Sequence, residues 1–153
     1  MPRSLSTLLP KEVATPATVK KRESGFWRQF KEATEKTNRD LTTTRIETWA
    51  VPGIPDVLAC DEDGLFHFIE LKATGGNAVE LRPHQISWLS RHARSSVWVA
   101  VQKMKTKNEP QQFFLFHGSK AMDLRFEGLK VEPDYHSVWP PNWDEVWGLI
   151  SPR

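Results

Sequence analysis

The spacing of apolar residues changes several times along this chain, and each change marks an element. Phe26, Trp27, Phe30 and Ala33 recur at helical intervals with charged residues between them, which predicts a helix over 20–36. Ser24 or a neighbour would cap its start. The period then shortens to two. Ile46, Thr48 and Ala50 alternate with Arg45, Glu47 and Trp49, predicting a strand over 45–51 that Pro52-Gly53 ends. Two further strand-forming runs, 57–60 and 65–71, flank the turn sequence Asp61-Glu62-Asp63-Gly64, which predicts a β-hairpin. Leu81, Ile86, Trp88 and Leu89 suit a second helix over 81–94, with Pro83 in its first turn. Apolar strands follow at 97–102 and 112–116, joined by a loop carrying Lys103, Lys105 and Lys107.

The order is helix, three strands, helix, two strands and a carboxy-terminal remainder. It predicts an α+β (α/β-like) domain with a central mixed β-sheet flanked by helices. Residues 1–20, rich in Ser, Thr and Pro without an apolar period, read as a mobile arm. The rest, 21–153, reads as a single domain with a core over about 22–117 and a Trp- and Pro-rich carboxy-terminal extension. At 153 residues the chain is long enough to bury a sizeable core.

Composition narrows the class further. One cysteine, Cys60, excludes an intrachain disulfide and a cysteine-based zinc site. No apolar run approaches the roughly 20 residues of a membrane span, and no basic-then-apolar leader opens the chain. The expectation is a soluble cytoplasmic protein without an organic cofactor. A net charge of +2 is too small to identify a nucleic-acid binder, but its distribution is uneven. Residues 1–45 hold ten Lys or Arg against five acids. Such a segment either attracts phosphates or is a solvated arm and helix face, and charge alone does not separate the two.

The hairpin carries the candidate chemistry. With a three-residue loop Glu62-Asp63-Gly64, Asp61 faces Leu65, and counting outward sets Asp56 opposite Glu70. Opposed residues share a sheet face, with Cβ atoms roughly 4.5–5.5 Å apart. Lys72, two residues beyond Glu70, shares that face. Two facing carboxylates need something positive between them, and Mg²⁺ with its preference for hard oxygen ligands fits. Lys72 would then orient a water or offset charge developing on a phosphate. A cross-strand salt-bridge cluster on a solvated sheet is the other reading of the same geometry.

Gly53-Ile54-Pro55-Asp56 followed by Phe68-Ile69-Glu70-Leu71-Lys72 resembles the signature of the PD-(D/E)XK nuclease superfamily. More narrowly, the chain resembles the small stand-alone VRR-NUC-type nucleases often carried by bacteriophages. Ser24, Phe26 and Trp27 in the first helix, Arg45-Ile46-Glu47, and Gln85 with Trp88 and Leu89 fit that group, so the likeness runs over about 22–102. The Val-Arg-Arg run that names the group is missing, and the carboxy-terminal third has no counterpart.

The resemblance implies a restriction-endonuclease-like core and a catalytic set of Asp56, Glu70, Lys72, Gln85 and Glu23. Asp56, Glu70 and the backbone carbonyl of Leu71 would hold Mg²⁺ or Mn²⁺, and Lys72 would position the attacking water. Gln85 would point toward the metal water or the scissile phosphate, and Glu23 would add a carboxylate. Trp88 reads as core, and His84 as a surface residue at a helix start.

Phosphate contacts need cations beside that face. Lys20, Lys21, Arg22 and Arg28 on the first helix, Arg91 and Arg94 on the second, and Lys103, Lys105 and Lys107 in the loop are the candidates. No zinc-finger or RNP-type motif is visible, so backbone shape or a branched structure is the expected determinant. The resulting expectation is a metal-dependent endodeoxyribonuclease, structure-selective for branched DNA such as Holliday junctions. A homodimer would follow from junction cleavage, with the tail aromatics at its interface. The alternatives are a non-catalytic DNA-binding or assembly protein, and an enzyme acting on RNA.

Overall fold

The computed structural model describes residues 15–47 and 50–153. Helix α1 (Pro16–Glu35) opens it: Thr15 caps the helix by accepting the N–H of Thr18, and Pro16 occupies a first-turn position where no N–H is needed. The helix therefore takes in 16–20, which the sequence pattern assigned to the arm, and Ser24 lies inside it rather than at its cap. Residues 1–14 of that arm lie outside the described residues.

Six strands follow: β1 (Thr42–Arg45), β2 (Val57–Cys60), β3 (Phe66–Thr74), β4 (Val97–Lys103), β5 (Gln112–His117) and β6 (Tyr135–Val138). They form one mixed sheet in sequential order, antiparallel except for the parallel pair β3–β4. Helix α2 (Pro83–Arg91) makes the crossover between those two. Helices α3 (Ala121–Glu127) and α4 (Trp143–Ile150) complete an α+β fold built on a central sheet.

The hairpin forms in the expected register. Val57 pairs with Ile69 and Cys60 with Phe66, while Gly64 takes φ +79° and closes the turn onto the Asp61 carbonyl at 3.0 Å. Two strands differ from expectation. β1 runs over 42–45 instead of 45–51, ending at Arg45↔Val57 with its four-residue partner β2; beyond it the Ile46 N–H still reaches the Asp56 carbonyl at 2.6 Å. Thr48 and Trp49, part of the expected strand, lie outside the described residues. β3 continues to Thr74, because parallel β4 covers it from Phe68↔Val97 to Thr74↔Lys103. Helix α2 is shorter than expected, since Arg82 is still extended and the chain turns at His92.

Strand alternation divides the sheet into two faces. Val57, Ile69, Leu71, Phe113 and Leu115 pack under Phe26 and Phe30 of α1 and under Val146, Trp147 and Ile150 of α4. Val99, Val101, Phe114 and Phe116 pack on the other face with Trp88 and Leu89 of α2 and Leu124 of α3. The core thus extends through α4, well past residue 117. Trp147 is fully buried, and Trp139 and Trp143 pack edge-on against Phe26, Phe30 and Phe113. Trp147 is therefore a core residue, and Trp139 and Trp143 are partly buried against the core. Among the described residues, no helix is long and apolar enough to cross a membrane.

Candidate active site

Glu70 and Lys72 leave β3 on the α2 face, whereas Ile69 and Leu71 point into the α1 core. Continuing the β2–β3 register one step past Val57↔Ile69 sets Asp56 opposite Glu70. Asp56 does not extend the ladder. Its Oδ2 accepts the Leu71 N–H at 3.1 Å, which turns the carboxylate across the open end of the hairpin.

Backbone direction on β3 is set by two bonds: Phe68 N–H donates to the Ser96 carbonyl, and the Thr74 carbonyl accepts the Met104 N–H. Even-numbered residues of β3 therefore direct their backbone toward β4, and Leu71 directs its N–H and carbonyl toward β2. The residue the register would set against that carbonyl is Pro55, which has no N–H to give. The Leu71 carbonyl and the Asp56 carboxylate, which accepts the Leu71 N–H, thus both lie on the β2 side of β3.

Gln85, in the first turn of α2, locks the pair on β3. Its Nε2 donates to Glu70 Oε1 at 2.8 Å, and its Oε1 accepts from Lys72 Nζ at 3.2 Å and from the Arg82 N–H at 3.0 Å. Lys72 Nζ lies 3.6 Å from Glu70 Oε1. Glu70 is only 2% exposed, and its Oε2 is buried with no hydrogen-bond donor. Burial, reinforced by the Asp56 charge, drives the Glu70 carboxyl well above its ordinary range against the pull of Lys72. An oxygen so placed needs a proton or a cation. Among the described residues no three His, Cys, Asp or Glu side chains come together as a metal-binding group. A cation here would rest on two carboxylates, the Leu71 carbonyl and water, a donor set that suits Mg²⁺.

Glu23, on α1, comes close enough to exchange charge effects with Lys72 and Asp56. Burial holds its carboxyl above the usual range; Lys72, Arg82 and Arg45 pull it down, and Asp56 pushes it up. Asp56, Glu70, Lys72 and Gln85 are therefore brought together, with Glu23 within electrostatic reach of them.

The expected phosphate contacts are not gathered so uniformly. Lys20, Lys21 and Arg28 are exposed on α1, and Arg22 is half-buried there. Lys105 and Lys107 are exposed in the loop leaving β4, beside the end of β3 that carries Lys72. Lys103 is not in that loop. It ends β4, buried, and donates to Asn77 Oδ1 and Glu109 Oε2, so it ties two loops together and is removed as a phosphate contact. Arg91 and Arg94 lie at and beyond the far end of α2, away from Gln85. Trp88 is core, packed on Phe68, and His84 is exposed.

Three residues at the site escaped the sequence pattern as functional positions. Arg45 and Arg82 bring guanidinium charge to Glu23 from β1 and from the start of α2. Gly53 has φ +93°, and a Cβ there would meet the His84 carbonyl oxygen at 2.2 Å. It lets the loop before Asp56 press against the turn that carries Gln85. The one available signal was Gly53 standing three residues before Asp56; contact with α2 is not a local property.

Comparison with protein-family models, curated proteins and solved structures returns no match.

Proposed function

We propose that this protein is a divalent-metal-dependent endonuclease that hydrolyses DNA phosphodiester bonds, of the PD-(D/E)XK type and similar to the VRR-NUC group. The observation that carries the proposal is the buried Glu70 oxygen without a donor, beside Asp56 and with Lys72 on the same face. An ordinary cross-strand salt bridge would leave its carboxylate solvated or fully paired, and Glu70 is neither. The element order supports the same reading: an antiparallel hairpin followed by a helical crossover to a parallel strand suits a restriction-endonuclease-like core.

Asp56, Glu70 and the Leu71 carbonyl would hold Mg²⁺ or Mn²⁺. Such a cation polarises the phosphodiester and lowers the pKa of water it holds. Lys72, fixed by Gln85, donates toward the phosphate oxygens and offsets the charge they gain as the nucleophile arrives. Glu23 adds a carboxyl group at the rim, and Arg45 and Arg82 attract the backbone of the nucleic acid. These are contacts to phosphate, which favours selection of DNA structure, such as a branch, over base sequence.

The test compares wild type with Asp56→Ala on linear duplex, single-stranded and four-way-junction DNA, with Mg²⁺, Mn²⁺ or EDTA. The expected result is metal-dependent cutting by the wild type, abolished in Asp56→Ala while DNA binding persists. Equal cutting by the variant would remove Asp56 from the chemistry. Binding without cutting by the wild type would favour the non-catalytic reading.

A further inference from the structure

Helix α2 has a second flank. While Gln85 reaches into the site, Ile86, Ser87, Ser90 and Arg91 line an open groove against Met122, Arg125 and Phe126 of α3. Its volume is ≈ 680 Å³, within the range of sites that hold small organic groups. Phe126 is 79% exposed and Met122 51%, so two large apolar side chains open to solvent side by side in one groove. No carboxylate lines the groove, and among the described residues neither Arg91 nor Arg125 forms a salt bridge. An exposed aromatic ring in a groove that two guanidinium groups also line matches an anionic chain that carries flat rings.

We infer that the α2–α3 groove binds a single-stranded stretch of nucleic acid, with an unpaired base stacked on Phe126 and its phosphates on Arg91 and Arg125. The choice of nucleic acid as occupant rests on the proposed nuclease reading; the groove itself does not depend on it. Stacking plus a cationic track is the chemistry by which single strands are held without sequence preference. Duplex DNA keeps its bases stacked on each other and has none to offer Phe126. The groove begins at Pro83, next to Arg82 and Gln85, and Arg91 lies six residues beyond Gln85 along α2, about 9 Å of helix. The groove lies on the flank of α2 turned away from Gln85, so a strand running from the cleavage centre into it passes round the start of the helix at Pro83. The arrangement assigns the protein a nucleic-acid ligand that includes a single-stranded segment.

The test is fluorescence anisotropy of labelled oligo-dT with the full-length protein in EDTA, beside a duplex of equal length. Phe126→Ala is expected to weaken oligo-dT binding about tenfold and to leave duplex binding unchanged, with Phe126→Trp retaining affinity. Arg91→Ala combined with Arg125→Ala should flatten the salt dependence by roughly 0.7 in log–log slope for each phosphate left without its guanidinium. Because Phe126 is exposed, its truncation leaves the core intact, and thermal melting checks this. Unchanged oligo-dT affinity in Phe126→Ala, or no oligo-dT binding by the wild type at low salt, overturns the inference. If the wild type still cuts duplex with Mg²⁺ in that case, the groove assignment falls alone and a protein partner becomes the occupant. If oligo-dT binding depends on Phe126 but no DNA is cut, the cleavage proposal falls alone.

Discussion

Both ends of the Gln85 amide are committed, one to Glu70 and the other to Lys72 and the Arg82 N–H. The side chain thereby fixes the distance between an acid and a base that would otherwise adjust to each other. These bonds stand beside the role that the resemblance implies for Gln85, contact with the metal water or the scissile phosphate. A residue holding two others in this way contributes through their geometry. Gln85→Ala is expected to lower cleavage about 10- to 100-fold, with a rightward shift in its metal titration and an unchanged far-ultraviolet circular dichroism spectrum. An unshifted titration at full rate would show that Glu70 and Lys72 hold their places unaided.

The site joins three elements: the hairpin, the start of α2 and the amino-terminal half of α1. The hairpin sets Glu70 and Lys72 on one face of β3 and ends one residue short of Asp56, and this part was legible in the sequence because a three-residue turn fixes pairing on both sides. The docking of α2 is different. It depends on Gly53, whose positive φ and missing side chain let the loop touch the His84 carbonyl. Gly53→Ala must both strain the backbone and push α2 away. It is expected to cost about 1–3 kcal/mol in urea denaturation, and to reduce cleavage by more than the loss of folded protein explains. Wild-type stability in this variant would mean that the loop and α2 can separate freely.

At the scale of the molecule, the carboxy terminus is fastened to the hairpin turn, at the closed end of the hairpin and away from the site. Asp61, nearly enclosed, accepts from His67 at 2.8 Å and from Ser151 at 2.7 Å. Arg39 bonds the Trp147 and Ser151 carbonyls and pairs with Glu62, which Arg153 also contacts. Hydrogen bonds from His67 and Ser151 hold the Asp61 carboxyl well below its ordinary range, and those from Arg39 and Arg153 lower Glu62 to about 2. Carboxyls depressed in the folded state stabilise it above their unfolded pKa, and that stabilisation is lost as pH falls through the folded value. The melting temperature should therefore drop between about pH 5 and pH 2, and Asp61→Asn should melt lower at neutral pH with a flatter acid limb. Parallel acid limbs for the two proteins would exclude Asp61 as a source of the dependence.

By itself the sequence determined the local geometry. Period-two alternation set the faces of β3, and Gly64 set the turn, so the register of β2 on β3 and the shared face of Glu70 and Lys72 followed from counting. Helical spacing marked the inward faces of α1 and α2. What only the tertiary structure decided was where distant segments meet. β1 stopped at Arg45 opposite Val57, Lys103 was drawn into β4 and buried, and Tyr135–Val138 became a strand by pairing with β5. Trp139, Trp143 and Trp147 read as an exposed tail because nothing near them in sequence covers them; α1, more than a hundred residues earlier, does. Periodicity is a property of neighbours along the chain, whereas burial depends on which surfaces are brought together. The apolar area of one segment is indifferent to which other segment excludes water from it.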